Sequence, residues 1–434
     1  MIEPKRRPRA SVLSIGDELL RGAHADLNAP FLLSELGAMG FELDSTRLVS
    51  DDEEPLRRAM TELCSSADVV VTSGGLGPTL DDVTRDAAAL AAGVKLVEAP
   101  GVFEAIAERF TLRGQVAPES NRRQAMLPFG AELLPNDYGT APGFAVRVGT
   151  CLLVCLPGPP RELRPMWGEV LRPLLRERHS ELPLRLERTF HLAGLPESTF
   201  AERCGDWMSR EADPLIGVSA KEGILTAHLV SSGAETGVDN TLEARVLAFR
   251  ERFAPWILFE GRGSLEARVV ERLAEEGLQV AVAESCTGGR IAARLTGVAG
   301  SSGVFGAGWV TYSNEIRHSQ LDVSWELLEA HGAVSSQVAA AMARGAAQAS
   351  GADLAVSVTG IAGPGGGSPE KPVGLVWFGL ALGGRWGAER VWTFERRFPG
   401  SDRERVQSFA TRMALELVLR AVDEKLDDQG GLLG

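Results

Sequence analysis

Two glycine-rich turns, one in each half of a 434-residue chain, constrain its fold more than any other feature. The first is Thr72-Ser-Gly-Gly-Leu-Gly-Pro-Thr79, followed by Asp81 and Asp82; the second is Glu284-Ser-Cys-Thr-Gly-Gly289, followed by Arg290. Each comes straight after a short apolar run that reads as a buried strand, Asp68-Val-Val-Val71 and Val280-Ala-Val-Ala283. Each leads into a stretch with helical spacing of apolar residues. Strand, glycine turn and helix together aim backbone N–H groups at an anion. Two such units on one polypeptide predict two active domains that handle phosphorylated small molecules.

A chain of this length exceeds one ordinary core and predicts two or three domains. Alternating β and α elements run from a strand at 11–15 through Pro173, with helices at 28–39 and 82–92 and strands at 68–72 and 151–156. That alternation predicts a parallel sheet covered by helices on both faces. Ligands of such sheets bind beyond the carboxyl ends of the strands, where the first glycine turn lies. Between about 184 and 260 the pattern changes to a small α+β segment, with strands at 185–192 and 225–230, helices at 199–209 and 240–253, and a polar turn at 231–239. A second α/β unit follows. It has helices at 265–276, 288–295 and 336–350 and strands at 279–283, 306–312, 354–358 and 373–382. The tail at 427–434 is expected to fray.

The net charge of −13 argues against non-specific binding to nucleic acid, which needs a basic patch. Lysine is confined to Lys5, Lys95, Lys221, Lys371 and Lys425, so arginine supplies most of the positive charge. This bears on catalysis, because a guanidinium does not serve as a base. The cysteines, Cys64, Cys151, Cys155, Cys204 and Cys286, are odd in number and show no CxxC pairing. Neither a disulfide framework nor a zinc site is expected. The basic first ten residues precede only a short apolar run, broken by Gly16-Asp17-Glu18. Neither a signal peptide nor a membrane span is expected, and the expected location is cytoplasmic.

In the first turn, Gly74, Gly75 and Gly77 let the backbone approach a ligand, and Thr79 is placed to cap the following helix. Asp81 and Asp82 would then sit in that helix's first turn. There they could simply stabilise the helix dipole, by a few tenths to about 1 kcal/mol. Alternatively they hold a divalent cation, which removes the conflict between carboxylates and a bound phosphate. Asp17 and Glu18 also follow a strand and could join that rim, giving metal-assisted attack on a phosphate or pyrophosphate. Two further loops offer polar tips: Asn136-Asp-Tyr-Gly-Thr-Ala-Pro-Gly143, with Asn136 and Thr140, and Leu156-Pro-Gly-Pro-Pro160 with Arg161. The latter reads as a proline turn into a capped helix, or as a phosphate clamp through Arg161.

In the second turn, Ser285 is either a helix cap or a nucleophile that uses the N–H groups of Thr287, Gly288 and Gly289 for an oxyanion or phosphate. A serine nucleophile needs a base. The histidines of this unit are His318 and His331. Tyr312-Ser-Asn-Glu315 follows a strand, and Ser357-Val-Thr-Gly-Ile-Ala-Gly-Pro-Gly-Gly-Gly367 leads to Lys371. Three polar loops at strand ends predict one pocket.

These motifs resemble the CinA family (competence/damage-inducible protein A) along almost the whole chain. The matching segments are 14–20, 73–84, 121–127, 136–144 and 156–160, then 284–289, 311–315, 331–334, 358–363 and 371–374. The resemblance implies a MogA-like α/β domain at 1–175, a small α+β linker domain at 176–262 and a CinA C-terminal α/β domain at 263–426. It implies metal-dependent ADP-ribose pyrophosphatase activity in the first domain. In the last it implies deamidation of nicotinamide mononucleotide (NMN), with both activities serving pyridine-nucleotide salvage. Ser285 matches the nucleophile and Tyr312 a pocket residue, while Thr359, Gly360, Ala362 and Gly363 match the loop lining the nucleotide pocket. The deamidases usually carry Ala-Lys after Tyr-Ser-Asn-Glu, and that lysine is expected to activate the serine. Here the pair is Ile316-Arg317, so Lys371, or less favourably His318, is the substitute base. Asp17 stands where the family often has a short hydroxyl residue. The expected cofactors are a divalent cation, Mg²⁺ or similar, and K⁺. The expected partners are ADP-ribose and NMN, with neither membrane nor nucleic acid, in a homodimer. The rival readings are a nucleotide-binding regulatory protein with an inactive deamidase domain, and a molybdopterin-binding N-terminal domain.

Overall fold

The computed structural model describes residues 6–180, 182, 184–234, 240–383, 390–398, 400 and 402–426. The tail expected to fray, 427–434, lies outside the described residues. The chain divides into two compact units, Met1–Leu186 with Ser231–Asp239, and Glu187–Val230 with Asn240–Gly434. Most of the small α+β segment therefore groups with the C-terminal α/β unit.

The first unit contains β1 (Arg9–Ile15), β2 (Glu42–Val49), β3 (Val69–Ser73), β4 (Leu96–Glu98), β5 (Met126–Pro128), β6 (Glu132–Leu134), β7 (Gly143–Val148) and β8 (Cys151–Leu156). Six of them form one sheet in the order β2-β1-β3-β8-β7-β6, while β4 and β5 make a separate two-stranded ribbon. β2, β1, β3 and β8 are mutually parallel; β7 and β6 turn antiparallel at one edge. Every residue of β3 and β8 is buried. Continuous apolar runs of this kind are required of parallel strands covered on both faces.

Helices α1 (Asp17–Leu20), α2 (Asn28–Ala38), α3 (Glu53–Ser66), α4 (Thr84–Ala92), α5 (Val102–Leu112), α6 (Pro160–Met166) and α7 (Arg172–Arg178) connect these strands. α3 buries Leu56, Ala59, Met60, Leu63 and Cys64, the spacing of one helical face. A π-helical turn, Trp167–Leu171, joins α6 to α7. It buries Trp167, whose indole N–H donates to Glu35 Oε2 at 2.8 Å. The chain goes from β1 to β2 on one side and to β3 on the other. This change of direction opens a crevice at the carboxyl ends of β1 and β3, the usual ligand position in such sheets.

A second sheet, most of whose residues belong to the second unit, has β9 (Leu184–Ala193), β10 (Leu215–Lys221), β11 (Ile224–Ala234) and β12 (Ile257–Glu260) in the order β10-β11-β9-β12. With it go α8 (Glu197–Cys204) and α9 (Asn240–Phe253). α9 buries Leu242, Val246, Phe249 and Phe253. Phe249 stacks with Phe190 of β9 and with Phe253. The polar turn expected over 231–239 is corrected in its first part. β11 continues through Ala234, and only 235–239 lie outside the described residues.

The α/β part of this unit has β13 (Val280–Glu284), β14 (Phe305–Val310), β15 (Leu354–Gly360), β16 (Leu375–Leu382) and β17 (Arg390–Arg397), ordered β14-β13-β15-β16-β17. β13 is parallel to both neighbours, and β16 and β17 extend the sheet antiparallel. Its helices are α10 (Leu265–Glu275), α11 (Arg290–Thr296), α12 (Asn314–Leu321), α13 (Trp325–His331), α14 (Ser336–Ser350) and α15 (Arg403–Val422). α14 is alanine-rich because it lies close to the sheet. Ser357 Oγ of β15 donates to Ala339 O at 2.6 Å, and a β-carbon at Gly379 would strike that same carbonyl.

Sequence reasoning did not single out α15, which is buried almost all round along its second half. There Glu416 lies between two arginines. It pairs with Arg420 Nε at 2.9 Å and with Arg412 Nη1, and Glu416 and Arg420 are 3% and 2% exposed. All five cysteines are free and buried, in line with the absence of disulfides expected from their spacing. Among the described residues no helix is long and apolar enough to cross a membrane.

Removing one partner of a buried ion pair leaves an uncompensated charge and costs about 3–5 kcal/mol. Glu416→Ala is therefore expected to destabilise the protein by about that amount. Urea unfolding followed through the C-terminal unit checks it; a loss below about 1 kcal/mol would show that the pair is not the anchor of α15.

Candidate active sites

A cavity of about 690 Å³ opens at the carboxyl ends of β1, β3 and β8. Gly74, Gly75, Gly77, Asp81, Asp82 and Thr140 line it, as expected from the sequence. The glycines are obligatory here. Gly74 and Gly75 have φ of 112° and 66°, and a β-carbon at Gly75 would run into the Thr84 hydroxyl.

The loop is braced from both sides. Asp82 accepts from Gly77 N at 2.7 Å and Thr79 N at 2.8 Å, and also from the Thr79 hydroxyl. Arg85, 2% exposed, donates to the carbonyls of Leu76 and Gly77 at 2.7 Å each. Burial pushes the Arg85 guanidinium down to about 10, against the neighbouring charge of Asp82. Arg85 escaped sequence analysis because a lone arginine in the first turn of a helix carries no signature.

Several expectations change at this site. α4 begins at Thr84, so Asp81 and Asp82 precede the helix instead of occupying its first turn, and Thr79 bonds Asp82 instead of capping it. Asp82 spends both carboxylate oxygens on bonds within the loop while still lining the cavity. Asp17 is outside the lining and pairs with Arg21 at 2.7 Å. Asn136 is structural. Its amide donates to Ala141 O at 2.8 Å and to Glu162 Oε2 at 2.9 Å, and its oxygen accepts from Tyr138 N. Arg161 is exposed and outside the lining.

Glu18 does line the cavity, joined by Asp26, Asp51 and Glu162, which sequence reasoning did not assign to it. Burial raises the Asp51 carboxyl above the usual range. The Asp17 N–H opposes that shift, and the negative charges of Glu18, Asp17 and Asp81 add to it. Asp26 is engaged by Ser14 Oγ and by the N–H groups of Asn28 and Ala29, so it acts as the N-terminal brace of α2. Among the described residues no three acidic, histidine or cysteine side chains are grouped to hold a metal ion. Mg²⁺ commonly takes one or two carboxylates together with phosphate oxygens. Glu18, Asp51 and Asp81 are carboxylates of the cavity lining, from which one or two could meet a cation that arrives with a phosphate ligand.

A second cavity, about 430 Å³, lies at the carboxyl ends of β13, β14 and β15. Glu284, fully buried, ends β13 and turns its carboxylate onto the start of α11. It accepts from Gly289 N at 3.0 Å, Ile291 N at 3.1 Å and Ala292 N at 2.9 Å. Glu284 thus performs the capping that Ser285 was free to perform, and Ser285 faces the cavity instead. Gly288 N is engaged by Ser285 O. The expected N–H donors at Gly288 and Gly289 are therefore taken. Among the described residues, the N–H groups of Cys286 and Thr287 are the turn's open donors.

Arg317, 4% exposed, stands directly against the serine: its Nη2 donates to Ser285 Oγ at 2.6 Å and its Nη1 to Asn314 Oδ1 at 2.8 Å. Its Nε is buried with no hydrogen-bond partner. Burial lowers the affinity of this guanidinium for its proton, and the Cys286 side chain opposes that shift. The Cys286 thiol is itself pushed up to about 12 by burial.

Lys371 is not the substitute base. Its Nζ donates to His331 O at 2.6 Å and the residue lies outside the cavity lining. His318 bonds Val323 O at 2.9 Å and is likewise outside it. Tyr312, Gly360 and Ala362 line the cavity as expected. Thr359 supports it from behind by donating to Ala333 O at 2.7 Å, while Thr287, Gly288, Gly289 and Gly363 shape the loops without lining it.

Arg403, on the first turn of α15, was missed. It donates to Tyr312 Oη at 2.8 Å and to Gly363 O at 3.0 Å. From the same helix, Gln407 Nε2 holds Cys286 O at 2.8 Å. Only the packing of a helix more than a hundred residues later in the chain brings these groups to the serine turn.

Comparison with known proteins fits both halves. Residues 11–177 match the model of a probable molybdopterin binding domain, and residues 262–422 match the CinA C-terminal domain. A Symbiobacterium thermophilum protein, named among the competence-damage inducible proteins, is 42% identical over 96% of this chain and 100% of its own length. A CinA-like protein from Dictyoglomus thermophilum is 39% identical over 95% of this chain and 99% of its own. The chain belongs to the CinA family. A solved structure, competence/damage inducible protein CihA from Agrobacterium tumefaciens, is 45% identical over 37% of this chain and 93% of that one, with a TM-score of 0.35.

Two outcomes follow for this CinA-family chain. Lys371→Met is expected to leave ligand binding at the Ser285 cavity within about twofold of the native protein, as measured by calorimetry; a tenfold loss would restore Lys371 to the site. Glu284→Gln swaps one acceptor oxygen for an amide donor facing helix N–H groups. It is expected to destabilise the protein by about 1–3 kcal/mol in a thermal melt, which an unchanged midpoint would contradict.

Proposed function

We propose that this CinA-family protein is a two-site pyridine-nucleotide hydrolase. The N-terminal cavity cleaves the pyrophosphate of ADP-ribose. The C-terminal cavity binds NMN, where amide hydrolysis through Ser285 is restrained by Arg317. One observation carries the reading of the second site: the contact of Arg317 Nη2 with Ser285 Oγ at 2.6 Å.

For amide hydrolysis, Ser285 Oγ adds to the carboxamide carbon and the charge that develops on its oxygen is offset by the guanidiniums of the lining, Arg317 and Arg403. Ammonia leaves, and water then cleaves the ester to release nicotinate mononucleotide. The serine proton must go to a base. No lining residue is Lys, His, Asp or Glu, and the guanidinium next to Ser285 Oγ donates to it instead of accepting. Arg317 therefore binds and orients the ligand, and turnover waits on water as the proton acceptor.

At the N-terminal cavity the glycine loop supplies a close backbone approach for the pyrophosphate. A divalent cation bound with the substrate would offset charge on the phosphate oxygens. The lining carboxylates Asp51, Glu18 and Asp81 support this reading as candidates for one or two of its contacts, and Asp82 and Arg85 keep the loop in shape. A pterin ligand is the second reading for this cavity, favoured by the molybdopterin-binding match over 11–177. A pterin retained through purification would support it over ADP-ribose.

Ammonia release from NMN by the full-length protein is expected to be slow. It should rise at least about tenfold in Arg317→Lys, since a lysine can accept the serine proton where a guanidinium cannot, and disappear in Ser285→Ala. No gain in the lysine variant would refute Arg317 as the restraint. Metal-dependent ADP-ribose hydrolysis should fall about 100-fold or more in Asp51→Asn while Lys371→Met leaves it unchanged. Full activity in Asp51→Asn would remove that carboxylate from the site.

A further inference from the structure

The C-terminal cavity carries two guanidiniums and no opposing charge. Arg317 and Arg403 both line it, and the remaining lining is Ser285, Cys286, Tyr312, Asn314 and apolar or glycine residues. The hydrogen bonds these arginines make all go to neutral oxygens: Ser285 Oγ and Asn314 Oδ1 for Arg317, Tyr312 Oη and Gly363 O for Arg403. Arg317 is 4% exposed and keeps a buried, unpartnered Nε. A buried cation without an anion is costly, and a site that keeps one is arranged for a ligand that supplies the anion. Beside it lies the Ser285 hydroxyl, which accepts from Arg317 Nη2. The lining thus offers two guanidiniums and contains no lysine, histidine or carboxylate.

A carboxamide and a carboxylate meet this set differently. The carboxamide has one acceptor oxygen and an NH₂ group that would point donors at donors. A carboxylate has two acceptor oxygens and a full negative charge, which a planar guanidinium matches far better. Lysine and arginine at this position therefore suit opposite ends of the same reaction. Lysine can take a proton and serves the amide, whereas arginine holds its charge and serves the acid.

We propose that the pocket selects the carboxylate form of its pyridine mononucleotide, nicotinate mononucleotide, over NMN, with the ligand carboxylate on the Arg317 guanidinium in exchange for its contact with Ser285 Oγ, and the phosphate on Arg403. This rests on the mononucleotide reading of the site given above. The C-terminal half is then a holder of the deamidated nucleotide, and the reaction class that supplies its ligand is amide hydrolysis or phosphoribosyl transfer to a pyridine carboxylate.

The test is titration calorimetry of the full-length protein with nicotinate mononucleotide and with NMN at neutral pH. Nicotinate mononucleotide is expected to bind at least about tenfold more tightly. Ser285→Ala should keep that preference, since the charge remains, and Arg317→Met should abolish it. Thermal melts establish that each variant is folded. If Arg317→Met is not, Arg317→Lys serves instead, and its preference should drop because the bidentate fork is gone. NMN binding as tightly as the acid would overturn the inference while leaving the mononucleotide reading standing. Binding of neither would overturn both.

Discussion

Both cavities depend on the same physical requirement: a sharp glycine turn at a strand end exposes backbone groups that must be satisfied before the turn can hold a shape. In the first unit Arg85 binds the carbonyls of Leu76 and Gly77 from beneath, while Asp82 gathers the N–H groups of Gly77 and Thr79. In the second, Glu284 alone collects three N–H groups at the start of α11. In each case the charged group is neutralised by peptide dipoles, and in the second the buried carboxylate has no cation beside it in its hydrogen-bond set. This keeps each turn rigid; in the second unit it does so with a carboxylate, Glu284, that lies outside the cavity lining. A ligand then meets a fixed array of donors, which is the condition for electrostatic preorganisation.

Beyond that shared device the two cavities differ in sign. Carboxylates rim the first, and their mutual repulsion is felt at Asp51, whose carboxyl is raised by burial and by neighbouring acids. Guanidiniums line the second. An acidic rim next to a glycine loop suits phosphates that arrive with a cation; a pair of arginines suits a ligand that brings its own negative charge. The overall charge of −13 says nothing of this division, because local sign is set by which side chains the strand ends bring together.

The legible part of the fold was the strand, turn and helix units. Their apolar runs are short, continuous and bounded by glycine, so β3, β8, β13 and β15 could be read almost to the residue. The breadth of β11 and the start of α4 at Thr84 were not legible. Ser231 to Ala234 look like turn residues in isolation and yet extend β11, and Asp81 and Asp82 look like a helix start although Asp82 is drawn back into the loop by the N–H groups of Gly77 and Thr79. The same competition decided Ser285, which a local reading leaves as a cap until Glu284 is seen to do that work.

The sequence by itself determined that there are two glycine-turn α/β units with polar loops at strand ends, a property of neighbours along the chain fixed by periodicity and residue chemistry. The family resemblance added Ser285, Tyr312 and the 359–363 loop as pocket residues and an arginine where a lysine is expected. Only the tertiary structure decided that Arg317 lies against Ser285, that Lys371 turns to His331 O, that Arg403 and Gln407 reach the pocket from α15, and that Arg85 and Asp51 belong to the first site. Apart from that of Arg85, which reaches back 9 residues, the hydrogen bonds among them join residues 32 to 121 positions apart. A single sequence carries no signal for them, because the direction of a long side chain is chosen by packing and burial and not by its neighbours in the chain.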